Sequence, residues 1–379
     1  MLPELYQSHL QKLLKPSEYL LLEILINLIQ AIKEVNLEKL AASLPLPILF
    51  ESRRRKIQRL LALEAWDVRR MWLSLIAKEI EKIIKPKKEL YVVIDRTQWQ
   101  NINILVISVI YKHRALPLYF ELLDKKGNSN WQEQTSALAK VLRELKPYKI
   151  VVLGDREFCS VKLASWLRER EVGFCLRLKK SHFIEQKESI WCQLKELGLK
   201  PGMSFYIQGI TLTKSHQVTG FDLGAKWIKK WQGNPKEGWF ILTNLGSLQK
   251  ATQSYKKRFG IEEMFRDFKR GGYNLEGTKV TGKRLIALLI CISMAYTIST
   301  VTGAKIKRTG QQKYVGRIKE QKRTFSRHSD FYIGLYGYAW LNFAFYLFDY
   351  ITQLMDLSPY KRPFYQRGER AMMIIQSAF

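Results

Sequence analysis

Acidic residues are scarce in this chain. Across 379 residues, 34 Asp and Glu face 63 Lys and Arg, a net charge of +29. An excess of that size implies a polyanionic partner, either nucleic acid or an acidic membrane surface. The basic residues run along the whole chain, so a basic tail on a neutral enzyme does not describe it. Cysteine and histidine are also few. Cys159, Cys175, Cys192 and Cys291 stand far apart with no C-x-x-C pair, and the five histidines are scattered. This argues against a structural zinc site and a disulfide framework, and fits a reducing compartment. Met1–Lys12 lacks a charged region leading into an apolar one, so no signal peptide is expected. The chain is therefore expected in the cytoplasm. Leu285–Val301, 17 residues without a charge, is at the short end for a bilayer span. A core helix is the expectation there, with no membrane partner.

What is present is an ordinary apolar share, 46%, enough for one large core and smaller modules. Residues 1–88 read as helices. Ser17–Lys33 is a mostly apolar helical run, Asn36 caps LEKLAASL, and a turn with Pro45 and Pro47 leads to a helix near Glu51. Two short helices and a tight turn, the second opening with Arg53, Arg54, Arg55 and Lys56, resemble a helix-turn-helix. A helical hairpin with a solvated basic face has the same pattern; the overall charge favours DNA.

The pattern changes at Glu89. Leu90–Ile94 is a continuous apolar run, as in a strand buried on both faces, and it ends in Asp95 and Arg96. Asn103–Tyr111 and Ala115–Leu122 read as strands, Trp131–Leu145 as a helix. Ile150–Leu153 is a fourth strand leading to Gly154, Asp155 and Arg156; a helix at Val161–Arg168 and a strand at Gly173–Leu178 follow. Asp155 to Glu262 is 107 residues, too long for a simple connection. A mostly β insertion is expected at about 179–250, containing Ser204–Thr213 and Trp239–Thr243. Gly303–His328 is polar and basic, including Lys319, Lys322 and Arg323, and reads as a surface loop or a DNA contact. An aromatic helix, Leu335–Leu357, is expected after it.

The stretch Tyr255–Lys269 reads YKKRFGIEEMFRDFK. As one helix it would put Tyr255, Arg258, Glu262 and Lys269 at about 0°, −60°, −20° and −40°, a single stripe bordered by Arg266. Glu263 would point about 100° away from Glu262. Ile261, Met264 and Phe268 form a core side. A solvated amphipathic helix shares this pattern, but a carboxylate flanked by cations suits a metal ion that also meets a phosphate backbone.

Tyr-x2-Arg-x3-Glu-x6-Lys resembles the signature of the insertion-sequence-4 family of cut-and-paste DDE DNA transposases, complete at all four positions. The order of three strands, helix, strand, helix, strand resembles the ribonuclease H-like α/β fold of polynucleotidyl transferases. The resemblance spans roughly Leu90–Val301, with IDRTQW and GDREF as the other acidic motifs. It implies a ribonuclease H-like catalytic domain at 89–302 with a β-rich insertion, a helical DNA-binding domain at 1–88, and a basic loop and helical region at 303–379. It implies that Asp95, Asp155 and Glu262 are the catalytic metal ligands, with Asp95 bridging. Tyr255, Arg258 and Lys269 would handle the transposon end, with Arg156 and Arg266 as second-rank DNA contacts. Trp239 looks like a tryptophan that stacks a flipped base, though a core strand aromatic reads the same way.

Three carboxylates suit two Mg²⁺ ions about 4 Å apart, with Mn²⁺ able to substitute. The resemblance implies binding of transposon ends, hydrolytic nicking, a hairpin intermediate and strand transfer into target DNA. It further implies a homodimer in the synaptic complex. The rival expectations are a ribonuclease H-like nuclease that cuts without joining, a transposase-derived DNA-binding protein, and a basic membrane-surface protein.

Overall fold

The structure is a computed structural model that describes residues 2–187, 190–213, 218–229, 237–318, 327–346, 352 and 359–379. In chain order, α1 (Glu4–Leu10), α2 (Pro16–Ile32), α3 (Leu37–Ser43) and α4 (Phe50–Leu61) come first. A π-helical turn at Val68–Leu73 leads into α5 (Ser74–Ile83). Then follow β1 (Glu89–Trp99), β2 (Ile102–Tyr111), β3 (Arg114–Leu122), α6 (Trp131–Glu144), β4 (Lys149–Gly154), α7 (Val161–Arg168) and β5 (Gly173–Arg177). Five more strands are β6 (Phe183–Lys187), β7 (Ile190–Gln193), β8 (Ser204–Leu212), β9 (Val218–Lys226) and β10 (Trp239–Thr243). The remaining helices are α8 (Leu248–Lys257), α9 (Phe259–Phe268), α10 (Gly282–Arg308), α11 (Gln312–Val315), α12 (Asp330–Tyr346) and α13 (Arg362–Gln376).

The chain forms two compact units, Val68–Phe265 and Met1–Asp67 with Arg266–Phe379. The first is a mixed α/β unit around a ten-stranded sheet in the order β3-β2-β1-β4-β5-β10-β9-β8-β6-β7. β1 pairs antiparallel with β2 and parallel with β4, and β5 continues parallel to β4. All of β2 from Asn103 to Ile110 is buried, which is why it is apolar on both faces except at Asn103 and Ser108. Helix starts follow local chemistry. The Asn130 side chain accepts from Glu133 N at 2.9 Å to open α6, and Ser160 Oγ accepts from Leu163 N at 3.1 Å to open α7. Strands β6–β10 fall in the stretch where a β-rich insertion is expected, and they extend the same sheet: β10 pairs antiparallel with β5, and β9, β8, β6 and β7 follow outward.

The other unit is helical and built on α10, which is buried along almost its whole length. α10 packs against α2, α4 and α12. Gln30 Nε2 of α2 donates to Ser299 Oγ of α10 at 3.0 Å in the interior. Tyr296 of α10 lies between Phe268 and Phe331, with ring centroids 5.2 Å and 4.9 Å away. α10 and α12 approach so closely that a Cβ on Gly303 would stand 1.8 Å from the Asp330 carbonyl, and one on Gly334 would stand 1.8 Å from the Ser299 carbonyl. Among the described residues α10 is the one helix long and apolar enough to cross a membrane, yet 94% of its most apolar window is buried inside the structure. It is a core helix.

These units cut across the sequence division at 88 and 302. The physical reason is α10: its apolar surface is covered by the N-terminal helices and α12, so it joins their unit. The basic stretch at 303–328 begins as helix, since α10 runs to Arg308 and α11 follows. Lys319, Lys322 and Arg323, and the expected continuation of the aromatic helix from 347 to 351 and 353 to 357, lie outside the described residues.

Candidate active site

The sheet register brings two acidic residues to one place. β1 and β4 pair in parallel from Glu89↔Lys149 to Ile94↔Gly154. Asp95 and Asp155 each stand one residue beyond that last pair. Gly154 is required there: a Cβ would lie 2.9 Å from Phe158 Cβ and 3.0 Å from Leu176 Cδ2. Asp95 does not end its strand, contrary to the sequence expectation. β1 continues to Trp99, because Arg96–Trp99 keep pairing with β2 down to the Trp99↔Ile102 turn. Only the parallel pairing with β4 stops.

The two aspartates are held by their own loops. Asp95 Oδ1 accepts from Arg96 N at 2.7 Å, and Asp155 Oδ1 accepts from Glu157 N at 2.9 Å. The Arg96 guanidinium then clamps Glu157, with Nε 3.0 Å and 3.1 Å from its two carboxylate oxygens. Glu157 also accepts from Ser129 N at 3.0 Å. Sequence reasoning missed this Arg96–Glu157 clamp; the paired spellings DR in IDRTQW and DRE in GDREF were its signal. A carboxylate so fully engaged is a brace for the loop that carries Asp155.

Arg258 joins the third acid to the first. Its Nη1 donates to Asp95 Oδ2 at 3.0 Å, and its Nη2 donates to Glu262 Oε1 in a short charged bond. Arg258 is nearly buried, with 7% of its side-chain surface exposed, whereas Glu262 is 53% exposed. Burial pushes the Asp95 carboxyl up to about 7; Arg258 pulls it down, while the negative charges of Asp155 and Glu262 push it further up. Asp95, Asp155 and Glu262 therefore share one electrostatic cluster. Glu263 points elsewhere, as the sequence implies, and pairs with Arg114 Nη1 at 2.7 Å.

The single helix expected from Tyr255 to Lys269 is two. Arg258 sits between α8 and α9 in a tightened turn, with Arg258 N bonded to Tyr255 O and Ile261 N bonded to Arg258 O, both at 3.0 Å. Tyr255 and Arg258 remain neighbours across that turn, the guanidinium 5.8 Å from the tyrosine ring centre. Tyr255 is fully buried. Its hydroxyl faces the guanidinium groups of Arg258 and Arg177. Burial raises its pKa, while Arg258 and Arg177 lower it and Asp155 raises it. Lys269 falls beyond α9 and pairs with Glu276 at 2.8 Å. Arg266 is exposed on the last turn of α9.

Trp239 is buried, with its ring 5.1 Å from Tyr255 edge-to-face and 6.0 Å from Phe259. It is the core strand aromatic of the two readings, because every residue of β10 is buried. Phe259 is the exposed aromatic here, 40% exposed, with the Arg258 guanidinium 5.1 Å from its ring centre. A Phe directly after the motif arginine was its sequence signal. Arg156 shares Glu237 with Arg177 and Lys180. Of the N-terminal arginines, Arg53 donates to Leu44 O at 3.2 Å and closes the end of α3, and Arg54 pairs with Glu38 at 2.6 Å. Arg55 is exposed.

Among the described residues no group of three or more His, Cys, Asp or Glu is gathered closely enough to hold a metal ion as it stands. Arg258 accounts for this, since it supplies the positive charge between Asp95 and Glu262. The donor chemistry does fit a hard divalent cation: the cluster offers carboxylate oxygens and an Asp95 whose ionisation is opposed by burial and by the acids Asp155 and Glu262. The buried guanidinium donors without a hydrogen bond around it, Arg258 Nε and Arg156 Nε, fit an anion such as phosphate.

The structure thus sets paired aspartates at a parallel strand pair of a large mixed sheet, with the Glu262 helix beside them. The family model described as transposase DDE domain matches residues 95–298, and the chain belongs to that family. A solved structure described as the piggyBac transposase synaptic complex with hairpin DNA aligns over 85% of this chain and 70% of its own, at 12% identity and a TM-score of 0.42. No curated protein matches the chain significantly.

Proposed function

We propose that this transposase binds the ends of its insertion sequence, cleaves them by metal-dependent phosphodiester hydrolysis and joins them to target DNA. The observation that carries this reading is the Asp95–Arg258–Glu262 bridge, set beside Asp155 at the end of the β1–β4 register. In this reading Asp95, Asp155 and Glu262 hold Mg²⁺, or Mn²⁺ in its place, on a ribonuclease H-like sheet. When bound, the metal supplies an acidified water and charge neutralisation at the leaving oxygen. The protein's own residues do the rest. Arg258 neutralises Asp95 and Glu262, and its guanidinium, where those carboxylates held a metal, would be the donor for the scissile phosphate. Arg156 Nε, buried and without a hydrogen bond, donates to a neighbouring phosphate oxygen, and the Tyr255 hydroxyl, beside Arg258 and Arg177, supports the same anion site. The exposed Phe259 ring offers a face for an unstacked base over the buried Trp239. Lys269 and Arg266 serve the DNA backbone, Arg55 and its helix serve end recognition, and a homodimer pairs two ends in the cytoplasm through a hairpin intermediate.

The test uses the full chain and a labelled duplex carrying the inverted repeat that flanks its coding region. With Mg²⁺, Asp95→Asn, Asp155→Asn and Glu262→Gln should each abolish cleavage while retaining DNA binding; Glu263→Gln should cut like the parent. Cleavage by Glu262→Gln at the parental rate would remove Glu262 from the site. Cutting without any joined product would favour a nuclease on the same fold.

A further inference from the structure

The start of α10 is built against helix stability. Its first turn carries Lys283 and Arg284 and no acidic residue, although the positive end of the helix dipole favours negative charge. Thr281 occupies the N-cap position without making a side-chain cap bond. Gly282 has a φ of +57°, with open space where a Cβ would stand. Lys279, Thr281, Gly282, Lys283 and Arg284 are all exposed. Here α10, the central core helix of its unit, presents uncapped N–H groups and two cations to the same space.

That space is a cavity of about 790 Å³, walled on its other side by Asn36 and Glu38 at the start of α3 and by Arg54 and Gln58 of α4. Glu38 is the one acid among its lining residues, and Arg54 holds it at 2.6 Å. The cations of Lys279, Lys283 and Arg284 are thus left without local compensation. α4 continues the positive surface with Arg55, Lys56 and Arg59, all exposed. Cations from two separate stretches of sequence, α4 and 279–284, beside the start of α10 match a run of phosphates better than a single small anion.

We propose that this cavity docks the phosphate backbone of duplex DNA, and that α4 and the start of α10 form one DNA-binding surface. The proposal rests on the transposase reading for its partner, but it adds a site that the helix-turn-helix reading of residues 1–88 does not contain. Contacts of this kind set affinity and salt dependence and carry no base sequence.

The experiment measures binding of the full chain to a fluorescent random-sequence duplex by anisotropy across a salt series. The combined Lys279→Ala, Lys283→Ala and Arg284→Ala variant should bind more weakly, with its log–log salt slope reduced by about 2–3, near 0.9 per lost phosphate contact. A control removing the exposed Lys82, Lys85 and Lys88 should keep the parental slope. Thr281→Asp is the second variant. It provides the missing cap and a dipole-matched charge, so its Tm should rise while its DNA affinity falls. An unchanged slope in the triple variant, equal losses in triple variant and control, or a Thr281→Asp protein that is more stable and binds DNA as before would overturn the proposal. Cleavage of the flanking-repeat duplex by the parent is read in parallel. If the parent binds and cuts while the variants bind like it, the docking site fails and the transposase reading stands; if the parent never cuts, that reading fails by itself.

Discussion

Arg258 Nη1 stands 3.0 Å from Asp95 Oδ2, and the same guanidinium holds Glu262. A nearly buried cation thus compensates a carboxylate that also feels Asp155. Arg258→Ala should therefore do two things. It should abolish cleavage, and it should destabilise the metal-free protein by about 1–3 kcal/mol at pH 8, the cost of leaving a buried charged group without its partner. At pH 5.5 the stability cost should shrink, because Asp95 is then protonated and needs no cation. Urea unfolding at the two pH values measures this. Equal costs at both would mean that Arg258 stabilises the fold by packing and not by its charge.

The Asp95 carboxyl itself imposes a pH dependence. Its folded pKa is about 7 against an ordinary value of 3.8. Between those values the unfolded chain releases a proton that the folded chain keeps, so this residue's contribution to stability falls as pH rises from about 4 to about 7. Above 7 both states are ionised and the loss is complete. Subtracting the Asp95→Asn profile from the parental one isolates the effect from carboxylates whose pKa is lowered, such as Glu34 and Glu89, which act in the opposite sense. The parent should lose Tm relative to Asp95→Asn across this window. Mg²⁺ should restore more stability to the parent at pH 8 than at pH 6, and none to Asp95→Asn. A flat difference profile would show that Asp95 ionises normally.

Much of this was legible because burial on both faces of a parallel strand writes itself as an apolar run. Ile150–Leu153 and the α7 and β5 segments stand where the sequence places them. The same rule misplaced the end of β1. Beyond Ile94 the strand loses its β4 neighbour but keeps β2, so alternation replaces the apolar run while pairing continues to Trp99. On the glutamate helix, the four-residue step from Arg258 to Glu262 survives as an ion pair, and Tyr255 stays beside Arg258. Lys269 lies beyond the end of α9 and pairs with Glu276, so an angle count that assumes one helix does not reach it. For α10, the 17 uncharged residues announced burial. They could not announce that α2, α4 and α12 would cover it, because those contacts are non-local.

The aromatic pair beside Arg258 divides stability from DNA handling. Trp239 is buried against Tyr255, so Trp239→Ala should cost about 3–5 kcal/mol, as for other large-to-small core changes. Phe259 is exposed over Trp239, so Phe259→Ala should cost less than about 1 kcal/mol. Its effect should fall on a step after nicking, where a base leaves the stack. Melting curves and a time course resolving nicked from fully cut ends test both. A Trp239→Ala protein as stable as the parent would return the stacking role to that residue.

The contact between α10 and α12 provides a prediction in which helix propensity and packing oppose each other. Gly303 lies within α10, where Ala would ordinarily be favoured by about 1 kcal/mol. Here a Cβ would stand 1.8 Å from the Asp330 carbonyl oxygen and 2.6 Å from Gly334 N. Backbone atoms cannot rotate away as a side chain does, so the helices must separate. Gly303→Ala should therefore be net destabilising, by about 1–3 kcal/mol, in the range of overpacked cores. Gly334→Ala meets the Ser299 carbonyl from the opposite side and should cost a similar amount. Once one alanine has moved the helices apart, the second has less left to displace. The double variant should then lose less than the sum of the single losses. Denaturant unfolding of the two single variants and the double variant supplies all three values. A stabilising Gly303→Ala would mean that propensity wins and that the two backbones do not touch at this crossing.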